Sequence, residues 1–169
     1  MTKRILIAYA SKCGSTTEIA ESMGKVLVEK GCAVDILPVN QVKSMDGYDG
    51  ILAGSAIRVG AWLPEAVDFV KNNQTTMQKI PTAIFTVHGL NWENTSASEA
   101  LRKNYTTAVN QLITPVDEVF FAGKIDYSTM TFLEKMLSKA VKAVEEDRRD
   151  WTVINGWAAE IPNKLRLAG

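Results

Sequence analysis

The chain has 169 residues, 46% of them hydrophobic and 22% charged, the make-up of a globular protein large enough to bury a sizeable core. Nineteen basic and nineteen acidic residues cancel to a formal net charge of zero, so the charge balance gives no support to nucleic-acid binding. Two cysteines, Cys13 and Cys32, and a single histidine, His88, are too few for a protein zinc site, an iron–sulfur cluster or a disulfide framework.

The opening Met-Thr-Lys-Arg leads directly into a strand too short for a signal-peptide core, and no window reaches about 18 apolar residues. The expectation is a soluble, cytoplasmic protein. Ile5, Leu6, Ile7, Ala8 and Tyr9 form a continuous apolar run, which predicts a strand of a parallel sheet covered on both faces. It runs into Ala10-Ser11-Lys12-Cys13-Gly14-Ser15-Thr16-Thr17, and then into a helical pattern carrying Ile19, Met23, Val26 and Leu27.

Hydroxyls and a glycine at a helix start point to an anion site. The first N–H groups of a helix have no intrahelical partner, and the helix dipole favours negative charge there. Neither Gly-x-x-x-x-Gly-Lys-Ser/Thr nor Gly-x-Gly-x-x-Gly occurs in this loop. A single phosphate monoester therefore suits it better than a nucleoside triphosphate or a dinucleotide. For each Ser or Thr taken alone, service as a simple helix cap is the alternative.

Gly31 is placed to stop the first helix. Further strands are predicted over 32–39, 50–56, 80–87 and 118–123, alternating with helices over 64–73 and 96–113. Ala97, Ala100, Leu101, Tyr105, Ala108 and Leu112 are the expected core side of the 96–113 helix. In an open parallel sheet the ligand sits beyond the carboxyl ends of the strands, where the strand order switches. Two loops leave strands on that side. One carries Ile57, Arg58, Val59, Gly60 and Trp62, and the other carries His88, Gly89, Leu90, Asn91 and Trp92. Trp62 is a candidate lid for a planar ring, with packing at the domain surface as its alternative. A lone His at a strand end is more often structural than functional, and both readings stay open for His88.

After the fifth strand the sequence supplies two helical patterns where the sheet needs one. Residues 130–144 carry Leu133, Met136, Leu137, Ala140, Val141 and Val144 at helical spacing, and residues 151–165 form a second pattern capped by Asp150. The last helix is the natural cover for the sheet. Residues 125–149 are then an extra segment leaving the ligand-side end of the fifth strand.

Ser11-Lys12-Cys13-Gly14-Ser15-Thr16 resembles the Ser/Thr-x-Thr-Gly-x-Thr phosphate loop of flavodoxin-like proteins, which bind FMN; Cys13 stands where that motif usually has Thr or Asp. Gly54-Ser55-Ala56-Ile57-Arg58-Val59-Gly60, Lys124-Ile125-Asp126-Tyr127 and the Asp-Arg-Arg-Asp-Trp run ending at Trp151 look like flavodoxin-type, menaquinone-dependent protoporphyrinogen oxidases and related flavodoxin-domain proteins. The similarity covers nearly the whole chain. It implies a single α/β domain over 1–169, a three-layer sandwich whose five-stranded parallel sheet has the order 2-1-3-4-5. It implies FMN held by Ser11, Lys12, Cys13, Gly14, Ser15 and Thr16 at its phosphate. Around the ring it implies Ala56, Ile57, Arg58, Val59, Gly60, Trp62, His88, Gly89, Leu90, Asn91 and Trp92, with Trp92 covering the second face. The flavin carries the chemistry, so no catalytic side chain is expected, and no metal.

The leading functional expectation is electron transfer between redox partners. A quinone-dependent protoporphyrinogen IX dehydrogenase is the first alternative, and a flavin-free binding domain the second. Flavodoxin shuttles are typically strongly acidic and this chain is neutral, which weakens the shuttle reading. Residues 125–149 are expected to be dispensable for FMN binding but needed for a redox partner, a quinone acceptor or peripheral membrane contact.

Overall fold

The computed structural model describes residues 1–167. Its strands are β1 (Arg4–Ala10), β2 (Ala33–Pro38), β3 (Gly50–Arg58), the short β4 (Ala61–Trp62), β5 (Thr82–His88) and β6 (Asp117–Ala122). Parallel pairing in the order β2-β1-β3-β5-β6 reproduces the expected 2-1-3-4-5 sheet, with β4 lying off that path. The helices are α1 (Ser15–Glu29), α2 (Pro64–Asn72), α3 (Gln74–Lys79), α4 (Ser96–Asn104), α5 (Thr107–Asn110), α6 (Phe132–Ala140) and α7 (Trp151–Lys164).

Alternation along the strands splits the core into two layers. Ile5, Ile7, Leu52 and Phe85 face α1 and α7, where they meet Ile19, Met23, Leu27, Ile154 and Ala158. Leu6, Ala8, Ile51 and Ile84 face the other way, against Ala66, Phe69, Val70, Met77 and Val109. Close packing also fixes Gly54 in β3, because a Cβ there would stand 2.1 Å from the Phe85 ring. α1 stops where expected. Gly31 lies at φ +86°, with the Gly31 and Cys32 N–H groups donating to the Val28 and Leu27 carbonyls.

Three expectations are corrected. β3 runs two residues further than predicted, so Ile57 and Arg58 are strand, and β4 folds back on them to make a hairpin. Its two-residue turn, Val59 and Gly60, has φ of 51° and 72°, the left-handed pair that matches strand twist. The helix expected over 96–113 breaks after Asn104, where the β-branched Thr106 and Thr107 follow Tyr105 and lower helix propensity. The inward face is Ser98, Tyr105, Thr106, Val109 and Ile113, so of the expected core side Tyr105 is buried, Leu112 partly buried, and Ala97, Ala100, Leu101 and Ala108 exposed.

The third correction concerns the extra segment, whose helix is shorter than the predicted 130–144. α6 is fixed at its start by a capping box between Thr131 and Glu134. At its end Lys142, at φ 55°, turns the chain back. The returning strand β8 (Glu146–Asp147) pairs antiparallel with β7 (Lys124–Ile125) in a separate two-stranded sheet, so the segment ends beside where it begins. α7 then begins with Asp150, whose carboxylate accepts from the Thr152 and Val153 N–H groups as expected. Among the described residues no helix is long and apolar enough to cross a membrane. Nor do those residues bring together three or more His, Cys, Asp or Glu side chains placed to hold a metal ion.

Candidate functional site

A cavity of about 650 Å³ opens at the carboxyl end of the sheet. Cofactor-sized ligands occupy clefts of about 300–1,000 Å³. Its walls are the loop between β1 and α1, the β3–β4 hairpin, the exit of β5, the inner side of α4, and the segment from Gly123 to Ala143.

The β1–α1 loop turns at Gly14, whose φ of +85° only glycine adopts without strain. Its N–H donates to the Ser11 hydroxyl at 3.1 Å. The first intrahelical bond of α1 runs from the Glu18 N–H to the Gly14 carbonyl, so the amides of Ser15, Thr16 and Thr17 are free for an anion. Ser15 Oγ accepts from the Lys124 N–H at 3.1 Å, which leaves the Ser15 proton available to donate. Thr16 is 1% exposed, and its Oγ1 has no hydrogen-bond partner in the protein. Ser11, Lys12, Cys13, Ser15 and Thr16 all line the cavity, while Gly14 shapes the turn behind them.

Two side chains of this loop are already engaged. Lys12 pairs with Glu65 on α2 at 3.3 Å. The Cys13 thiol has its pKa raised, first by burial and then by the nearby Glu134 carboxylate, while Thr129 and Arg58 pull the other way. It is therefore a neutral thiol near pH 7, and a thiolate nucleophile gains no support.

From the hairpin, Ala56, Ile57, Arg58, Val59 and Gly60 line the cavity. Arg58 reaches across to form an ion pair with Glu134 of α6. Trp62 is corrected: it does not face the cavity. Opposite Ile57 in the hairpin register, its ring turns into the core, 3% exposed, and its indole N–H donates to Thr86 Oγ1 at 2.8 Å.

His88, Gly89, Leu90 and Asn91 also line the cavity. His88 is buried, its Nδ1 donating to the Leu90 carbonyl at 2.7 Å, so Nε2 is the ring's remaining polar atom. Burial holds the imidazole pKa below its usual 6.5 against the opposing pull of the Leu90 carbonyl, so it is neutral near pH 7. Asn91, at φ 56°, is locked by its own amide donating to the Tyr105 hydroxyl at 2.6 Å and by Arg102 donating to its carbonyl. Trp92 is corrected as a lid. It lies outside the main cavity, 43% exposed, with the Arg148 guanidinium 3.5 Å from its ring centre.

Most of the residues that sequence reasoning left out of the site are on α4 and the extra segment, with Leu63 and Val87 beside them. Leu101, Asn104 and Tyr105 form one wall, and Met130, Glu134, Leu137 and Val141 form another. The segment leaving the ligand-side end of the fifth strand, expected to be dispensable for FMN binding, thus supplies part of the cavity wall. The available signal was an apolar helical stripe with no face of the sheet left to cover.

The family model for the flavodoxin domain matches residues 6–152. Protoporphyrinogen IX dehydrogenase (quinone) of Escherichia coli strain K12 is 23% identical over 172 residues, covering 94% of this chain and 94% of that protein. The protein of the same name from Leishmania major is 27% identical over 165 residues, covering 92% of this chain and 71% of that protein. Among solved structures, a flavodoxin from the domain Archaea superposes with a TM-score of 0.56 at 17% identity, covering 96% of this chain and 99% of that one. The matched span contains the loop at the start of α1, the hairpin and the whole of the extra segment, and on that match the chain belongs to the flavodoxin-domain family.

Proposed function

We propose that the protein binds FMN in the cavity at the carboxyl end of the sheet and passes electrons between redox partners. One observation carries the reading: the buried Thr16 hydroxyl, without a partner, at a helix start whose first amides are also free. A buried unpaired hydroxyl is costly, and an anion held there would satisfy it. The residues fit the group. Ser11, Ser15 and Thr16 with the first amides of α1 suit a phosphate monoester, and the wide, largely apolar remainder of the cavity suits a flat ring.

FMN bound here would supply the electron-accepting ring. The protein's share is to hold and enclose it. Leu90, Leu101, Met130, Leu137 and Val141 offer apolar surface that excludes water. The neutral His88 presents no positive charge to the cavity, and its Nδ1–H bond to Leu90 fixes the loop whose amides remain for a ligand. Lys12 and Arg58 are neutralised by Glu65 and Glu134, which leaves the helix start as the main attraction for the phosphate.

A second reading is favoured by the extra segment at the cavity wall. Relatives named protoporphyrinogen IX dehydrogenase (quinone) align over 94% of this chain, a length that takes in that segment. On this reading the electron acceptor is a quinone and the donor a tetrapyrrole. The test is direct. The purified protein is expected to be yellow and to hold one FMN, and its reduced form is then offered a ferredoxin-type protein, a soluble quinone and, in the other direction, protoporphyrinogen. Oxidation by the protein partner alone supports the shuttle, and turnover of protoporphyrinogen with quinone supports the enzyme. A protein that binds no FMN would be a flavin-free domain.

A further inference from the structure

The extra segment is held very unevenly. Its base is fixed: β7 and β8 pair, the Arg148 N–H donates to the Gly123 carbonyl, and Arg149 is ion-paired with both Asp147 and Glu18 of α1. Its tip is not. α6 has no buried residue, and Phe132 is 79% exposed. What ties the tip to the rest of the molecule is the Arg58–Glu134 pair, Thr129 beside the Cys13 thiol, and the apolar side chains of Met130, Leu137 and Val141 on the cavity wall.

We infer that residues 124–149 form a strap over the flavin site, hinged at the β7–β8 pair and latched by Arg58 and Glu134, and that flavin exchange requires the latch to open. The inference rests on the proposed FMN reading and extends it to the segment's role. Three observations converge. The Glu134 carboxylate is mostly buried, and its pKa is lowered by the Thr131 N–H and hydroxyl and by Arg58, so it stays ionised and paired at neutral pH. The Lys124 N–H bond to Ser15 joins the hinge to the phosphate loop itself, so the strap's base moves only with that loop. Leu137 and Val141 are about half exposed, and a flat apolar ligand beneath them would remove that surface from water, so ligand and closed strap stabilise each other. A segment with a fixed base, a lightly held tip and few buried contacts opens locally at low cost.

The experiment uses wild type, Arg58→Ala, Glu134→Gln and the charge-reversed double variant Arg58→Glu with Glu134→Arg. FMN release is followed as the rise of free-flavin fluorescence after dilution. Amide hydrogen exchange across 127–143 is measured in the same proteins with and without FMN. Each single variant is expected to release FMN about 10-fold faster, the effect of a half-buried pair, with the double variant returning to within about 3-fold of wild type. FMN is expected to slow exchange in α6, and the single variants to speed it in the apoprotein. Wild-type release rates in the single variants, or exchange in α6 that answers to neither FMN nor substitution, would overturn the latch. If wild type binds no FMN, the cofactor reading fails separately, and apoprotein exchange decides alone. Faster exchange in Arg58→Ala keeps the latch, and unchanged exchange removes it.

Discussion

α6 and α7 follow β6 within one stretch of chain, both begin with well-formed caps, and both carry apolar residues at helical spacing. Their fates differ. α7 buries Ile154, Ala158 and Ile161 against the sheet beside α1, whereas α6 buries nothing completely and lies along the cavity wall. The local signals for a helix are the same in both. What separates them is the surface left to cover, because α1 and α7 already fill that face of the sheet. Stability should therefore reside in the body, and ligand control in the strap.

The largest test of that division compares two apolar residues near the cavity. Trp62→Ala removes a buried ring and its bond to Thr86, and should cost about 3–5 kcal/mol in urea unfolding. Phe132→Ala on the strap should stay within about 0.5 kcal/mol. Similar losses for both would erase the difference between the two regions.

Removing the two helix caps sharpens the comparison. Asp150→Ala should lower global stability by about 1 kcal/mol, since α7 unfolds only with the body. Thr131→Ala deletes an equally well-formed cap, yet should leave the global transition in place and instead raise amide exchange in α6. A shared global loss would mean that the strap unfolds with the core.

A smaller effect concerns pH. The folded-state pKa of His88 is lowered below 6.5, so as pH falls through 6.5 the unfolded chain takes up the proton first. Stability should be level above that pH and decline below it, until the folded-state pKa is reached. Replacing His88 by Asn should flatten that part of the stability–pH profile, and an unchanged slope would assign it to other groups.

Much of the body was legible in the chain itself. The buried runs of β1 and β5, the hydroxyl-rich turn into α1 and the Gly31 stop are local signals, whereas the sheet order was implied by the family resemblance. The two tryptophans were not. A two-residue turn at Val59 and Gly60 set the register that drives Trp62 inward, although Val is a poor predictor of φ > 0. Trp92 was drawn off by Arg148, a partner distant in sequence. The inner face of α4 was misread because Leu101, the largest apolar residue of its stripe, faces the open cavity instead of the core. α6 showed its apolar stripe plainly, but a stripe does not say whether it meets a sheet or a ligand.

The central claim is that the free Thr16 hydroxyl and the first turn of α1 hold a flavin phosphate, and Thr16→Val tests it most directly. Binding of FMN and of riboflavin, which lacks the phosphate, is measured by flavin fluorescence on wild-type and variant apoprotein, alongside thermal unfolding without ligand. The account predicts that FMN affinity falls by about 1.5–3 kcal/mol, roughly 10- to 150-fold, because a hydrogen bond to a charged group is lost. Riboflavin affinity should hold, and the apoprotein should be no less stable, since the hydroxyl removed is buried without a partner. Equal losses for FMN and riboflavin, or an FMN affinity that ignores the substitution, would contradict it.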